Sequence, residues 1–325
     1  IIAPLIFLLF KEWKTKWIIK SFVLSNFLIC LYSFLNLIPF FIYDKWYFIE
    51  KTSNQGITLD TFRYISYHAG ANFITFDVHR LYFCFSVITS LLFIVFNKKY
   101  FTNKLLKNTM IIFFVIVILI LQSKISLLLF FVLTFYYLVN LFKSAKPKKI
   151  LVISLLLAVI IGLSIYLNKT RFNQFINQLN TISMVKEGSF IERIQLSKCA
   201  IELIKESPII GYGSGDIDFE IKKKLIKYKY TFLLENETFD PHNEFLKAQL
   251  GMGILGLIFF ITIFASILYS AFVNSEMLLF FYFSFILIIC FIEPFLSRQA
   301  GILPTLFFLG VLVNKNYQTE NVKVN

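Results

Sequence analysis

Long apolar runs separated by short polar stretches set the character of this chain. Apolar residues dominate at about 1–10, 18–43, 80–96, 109–122, 125–142, 150–167, 246–273, 277–296 and 300–313. A helix that crosses a bilayer needs roughly 20 such residues. The runs therefore predict a bundle of transmembrane helices, and the shorter runs imply helices that extend a few residues past these limits. Runs 109–122 and 125–142 meet through Gln122, Ser123 and Lys124, which predicts a tight hairpin. The first run starts at Ile1 and is apolar from the outset, so one or more spans are expected to precede it.

The polar positions carry a second pattern. Lysines gather in alternate linkers: Lys11, Lys14 and Lys16; then Lys98, Lys99, Lys104 and Lys107; then Lys143, Lys146, Lys148 and Lys149. Such clusters mark cytoplasmic loops. Loops 44–79 and 168–245, the hairpin at Lys124 and the turn Ser297–Gln299 then face outward. The tail with Lys315 and Lys323 returns to the cytoplasm. Three parts follow: N-terminal spans over 1–167, an extracytoplasmic loop over 168–245, and C-terminal spans with a cytoplasmic tail over 246–325.

Loop 168–245 is too long for a connector, and long loops are usually functional. Ser189-Phe190-Ile191-Glu192 reads as a capping box, which predicts a helix start. Ile191, Ile194, Ala200, Ile201, Leu203 and Ile204 recur at helical spacing and give that helix an apolar face. Ser207-Pro208 should end it. Gly211-Tyr212-Gly213-Ser214-Gly215 then predicts a sharp turn, and 217–230 a lysine-rich helix with Ile217, Ile221 and Leu225 on one face.

Composition removes other classes. The chain is 58% hydrophobic and contains 41 phenylalanines, with a mean hydropathy of +0.73, which excludes a soluble domain. A net charge of +13 could suggest a nucleic-acid partner, but the lysines sit in short loops beside apolar spans, where they set topology instead. Cys30, Cys84 and Cys290 lie in apolar runs and Cys199 stands alone in the long loop, so no disulfide framework is expected.

Candidate chemistry concentrates on the outward side. Asp240 suits an N-cap and Pro241 a first helical position, which would put His242 on the first turn of the helix entering the membrane. Such a helix end favours anions, and His242 reads either as a polar helix-start residue or as a base. Arg193 is either a surface arginine paired with Glu192 or Glu187, or a bidentate phosphate ligand. His79 and Arg80 open another outward span end, as an interfacial anchor or a site. Lys124 is a snorkelling anchor or a phosphate contact. Glu293 is an acid near a span end, where charge marks a paired or functional group, and Arg298 is its expected partner. Gly211–Gly215 lacks the Lys-Ser/Thr of a P-loop. Asp216 and Asp218 lack further metal ligands, so they read as N-cap and first-turn acids of the next helix.

Taken in order, these pieces resemble the O-antigen ligase and polymerase superfamily. The matching features are His79–Tyr82, Ser123-Lys124, Glu192-Arg193 followed by Cys199-Ala200 and Ser207–Gly213, and His242-Asn243-Glu244-Phe245-Leu246 running into Gly251–Gly256. The resemblance implies an all-α, multi-pass membrane enzyme similar to the GT-C class, in the bacterial inner membrane with its active site facing the periplasm. It implies a metal-independent glycosyltransferase without cofactor. The donor is a glycan on undecaprenyl diphosphate, and the acceptor is a sugar hydroxyl on the lipid A core or on another lipid-linked glycan. The family's essential pair falls on Arg193 and His242. Lys124 stands where the family carries an arginine, and it joins Arg80 as a diphosphate contact. His79, Asn243, Glu293 and Arg298 are supporting candidates. A flippase for the same lipid-linked glycan is the rival class, and a protein O-oligosaccharyltransferase is the alternative acceptor choice.

Overall fold

The computed structural model describes residues 15–43, 79–121, 123–143, 189–230, 233–234 and 239–324, with isolated positions between 147 and 162. All regular structure among these residues is helical. The expected runs 1–10 and most of 150–167 lie outside them. The chain divides into two compact units, one within Lys14–Phe172 and one within Asn173–Asn325.

The first unit holds α1 (Thr15–Tyr43), α2 (Arg80–Phe96), α3 (Lys104–Leu121) and α4 (Lys124–Lys143). α2 is short, but it is buried from Leu81 to Val87 and on to Ile94 with few breaks, and α1, α3 and α4 pack on it. Phenylalanines fill the joints: Phe22 of α1 meets Phe93 of α2 edge-on at 5.7 Å, and Phe27 meets Phe113 of α3 at 5.3 Å. A polar tie crosses this apolar interior, from the Ser86 hydroxyl to Asn26 Oδ1 at 2.9 Å. A hydrogen bond there satisfies groups that would otherwise be stranded in a low dielectric. α3 starts earlier than its apolar run because Asn103 Oδ1 accepts the Leu106 N–H at 3.1 Å and caps it.

The second unit holds α5 (Ser189–Glu206), α6 (Ile217–Lys227), α7 (Glu244–Val273), α8 (Met277–Cys290) and α9 (Gln299–Val324). α5 starts at the capping box and stops before Ser207-Pro208, as the sequence predicts. Its apolar face closes on that of α6: Leu196, Cys199, Ala200 and Leu203 pack with Ile217, Ile221, Leu225 and Leu250 of α7. Lys224 reaches back from α6 to pair with Glu206, and this partner holds the Glu206 carboxyl below its ordinary pKa. α8 ends at Cys290, short of the apolar run's limit at 296, because the chain turns at Phe291–Ser297 around Glu293-Pro294.

Thr15–Asn36, α3, α4 and α7 are long and apolar enough to cross a membrane, and α2, α8 and Gln299–Val313 are shorter apolar helices. The protein is a multi-pass helical membrane protein.

The glycines of the long loop have a mechanical role. α7 is broken at Gly253, whose φ of +63° and ψ of −163° are non-helical. The break frees backbone groups, and the segment after α5 takes them up. Tyr212 N–H donates to Leu250 O at 2.7 Å, Gly213 N–H to Gly251 O at 3.0 Å, and Ile254 N–H to Pro208 O at 2.9 Å. A Cβ at Gly253 would overlap the Ile209 carbonyl, and one at Gly211 would overlap the backbone at Leu250 and Gly253. Pro208–Gly213 is thus a backbone splice into a kinked helix, and its glycines permit the close approach.

Candidate active site

The site grows from the five residues that precede and begin α7. Asp240 Oδ1 accepts the His242 N–H at 2.9 Å, and Oδ2 takes the Lys247 ammonium at 2.7 Å. The turn puts His242 in the left-handed region, at φ +51°. Non-glycine residues adopt this conformation seldom and keep it where the surroundings fix it. Asn243 caps the helix, its Oδ1 accepting from Phe245 N–H at 2.9 Å and Leu246 N–H at 3.1 Å. The helix therefore starts at Glu244, later than the expected cap at Asp240. Asp240 is engaged by His242 and Lys247, so the capping role passes to Asn243, and His242 stands outside the first turn.

The same segment grips the turn between α8 and α9. Asn243 Nδ2 donates to Phe291 O at 3.0 Å, and the Phe245 ring stacks on Phe291 at 4.3 Å. Glu244 accepts from Leu296 N–H at 3.1 Å and from the Ser297 hydroxyl at 2.7 Å. Between these clamps lies Glu293.

Glu293 joins the two residues that the sequence singles out. Its Oε2 lies 3.2 Å from His242 Nδ1, and its Oε1 accepts from Arg193 Nη2 in an ion pair. Arg193 Nη1 also donates to Ile292 O at 2.9 Å. The carboxylate is nearly buried, with a side-chain exposure of 10%, whereas His242 keeps 28% and Arg193 35%. Burial pushes the Glu293 carboxyl up, but the His242 hydrogen bond and the Arg193 charge outweigh it and leave its pKa below the ordinary value of 4.5. Glu293 is ionised at neutral pH, and it presents a fixed negative charge to one ring nitrogen and one guanidinium.

Two expected pairings are corrected. Arg193 pairs with Glu293 rather than Glu192, and Glu187 lies outside the described residues. Glu293 pairs with Arg193 and His242 rather than Arg298. The turn folds Glu293 inward toward α5, while Arg298 is exposed and makes no ion pair among the described residues.

His79, Arg80 and Lys124 belong to the other unit. His79 caps α2 through Nδ1, which accepts the Leu81 N–H at 3.4 Å, and its ring meets Tyr82 edge-on. Arg80 is the first residue of α2. Lys124 is the first residue of α4, and Ser123 before it accepts the Ser126 hydroxyl at 3.0 Å.

Residues 109–261 match the family model described as O-Antigen ligase. Over that stretch the chain is similar to the O-antigen ligase family. No curated protein matches the chain. The match takes in Lys124, Arg193, His242 and the Pro208–Gly213 splice. Glu293, the group that holds Arg193 and His242 together, lies beyond its end. The sequence singles out neither Glu244 as a clamp nor the Ile292 carbonyl as an arginine partner. Glu244 stands within the His-Asn-Glu motif, which was a usable signal. A backbone carbonyl has none.

Among the described residues no three His, Cys, Asp or Glu side chains converge as a metal site would require.

Proposed function

We propose that the protein is a membrane glycosyltransferase of the O-antigen ligase or polymerase type with a GT-C-like architecture. It moves a glycan from undecaprenyl diphosphate to a sugar hydroxyl of the lipid A core or of another lipid-linked glycan. It acts at the periplasmic face of the bacterial inner membrane. The observation that carries this reading is the Arg193–Glu293–His242 cluster, because it joins a phosphate-binding cation to a candidate base.

The chemistry is one displacement at the anomeric carbon. The bond from that carbon to the diphosphate oxygen breaks, and the acceptor oxygen forms the new bond. Negative charge grows on the diphosphate in the transition state, where fixed cations stabilise most. Arg193 serves that charge. Among the described residues two of its N–H groups are committed, to Glu293 and Ile292, and the guanidinium has five, so others can serve phosphate oxygens. Arg80 and Lys124 are proposed as further diphosphate cations on motif order alone. His242 takes the acceptor proton. A carboxylate beside Nδ1 favours the tautomer protonated there and leaves Nε2 as the ring's acceptor. Glu293 stays ionised and orients both partners. No metal and no nucleotide enter the step.

Deletion of the gene followed by gel analysis of surface glycolipid tests the reading. A ligase leaves bare cores while polymer accumulates on the carrier, a polymerase leaves cores with one repeat unit, and a protein-directed enzyme changes glycoprotein mobility. An unchanged pattern in all three assays refutes glycosyl transfer. Accumulation of undecaprenyl-linked glycan on the cytoplasmic side only identifies a flippase instead.

A further inference from the structure

We infer that Ile209 and Ile210, at the tip of the splice after α5, insert into the lipid at the outward boundary of the hydrocarbon layer and act as a membrane anchor for the α5–α6 pair. α7 has 30 residues, about 45 Å at 1.5 Å per residue, which exceeds a hydrocarbon layer of about 30 Å. Part of α7 therefore stands outside the hydrocarbon, and its own exposure shows which part. From Glu244 to Gly251 no residue is exposed, and Lys247 and Gln249 occur there. From Met252 onward exposed apolar residues follow in quick succession, with Leu255, Ile258 and Phe259 among them. Met252–Val273 is about 33 Å long on the same rise. The hydrocarbon boundary thus falls at Met252–Gly253.

The splice docks at that level. Pro208 O accepts from Ile254 N–H, and the Ile209 carbonyl lies against Gly253. Ile209 is 65% exposed and Ile210 79% exposed. These two side chains continue the lipid-facing surface of α7 rather than facing water. Irregular chain is tolerated there when its N–H and C=O groups are taken up by protein, and Tyr212, Gly213 and Pro208 bond to the groups that the Gly253 break releases. The polar, glycine-rich turn that follows carries Ser214 back out, where it is exposed.

The test is collision accessibility of a nitroxide on Ile210→Cys, repeated on Ile209→Cys, in the full chain reconstituted into phosphatidylethanolamine and phosphatidylglycerol vesicles. The native cysteines Cys30, Cys84, Cys199 and Cys290 are all buried, so the parent protein provides the labelling blank. Molecular oxygen should relax the label at both positions several-fold more strongly than a water-soluble nickel chelate. A label on Ser214→Cys should show the reverse order. Nickel access at Ile210 equal to that at Ser214 overturns the inference. So does shielding from both reagents, which a second copy of the chain would cause. The readout needs no glycosyl transfer, so it stands apart from the enzymatic reading.

Discussion

Glu293 Oε2 lies 3.2 Å from Nδ1 of His242, across 51 residues of chain. The other oxygen of the same carboxylate holds Arg193. Replacing Glu293 by Gln keeps the shape and removes the charge. The amide can satisfy either partner but no longer fixes the ring tautomer, so turnover is expected to fall about 10²- to 10⁴-fold, the range of a displaced general base. His242→Ala should lose as much. Arg193→Lys keeps a cation but loses the planar fork that spans Glu293 and Ile292. Transfer of radiolabelled glycan in membranes measures all three variants, with membrane insertion checked in parallel. Full activity of Glu293→Gln would sink the orienting role.

Gly253→Ala tests the splice. The new methyl group meets the Ile209 carbonyl, and the residue is forced to φ +63°. A non-glycine residue in so rare a backbone state costs about 1–3 kcal/mol, and the overlap adds to it. Gly215→Ala is the matched control, because nothing lies within 4 Å of its added carbon. Thermal unfolding in detergent should show a lower Tm for Gly253→Ala and no change for Gly215→Ala.

Much of this arrangement is legible in the chain. The apolar runs locate every described span, since hydrophobic length is the dominant constraint in a bilayer. The capping box and Ser207-Pro208 locate both ends of α5, because both signals act within a few residues. Arg193 and His242 stand out by residue type and order. What escapes is long-range. Sequence proximity points Glu293 toward Arg298, but its partners are set by how the 291–297 turn folds onto α7. The start of α7 differs from the expected one for a related reason. Asp240 and Asn243 are both good caps by propensity, and the choice between them is made by Lys247 and Phe291, which only the folded chain brings near.

The depressed pKa of Glu293 fixes a pH dependence. Its folded value lies below 4.5, so the carboxylate contributes stability that is fully present above 4.5 and is lost as pH falls through the lower folded value. The Tm of the parent protein should exceed that of Glu293→Gln at pH 7, and the gap should close only below 4.5. A gap that closed between pH 7 and pH 5 would contradict the ion-paired state of Glu293.

Asn243 couples stability to geometry. Its Oδ1 caps α7, and its Nδ2 tethers the turn that carries Glu293. Loss of an N-cap costs about 0.5–2 kcal/mol, so Asn243→Ala should lower the Tm modestly. Asn243→Ser retains a capping oxygen but cannot reach Phe291 with an amide. If the tether positions Glu293, the serine variant recovers the Tm and stays defective in transfer. The alanine and serine variants then separate helix capping from placement of the carboxylate, because only the second function needs both ends of the asparagine amide.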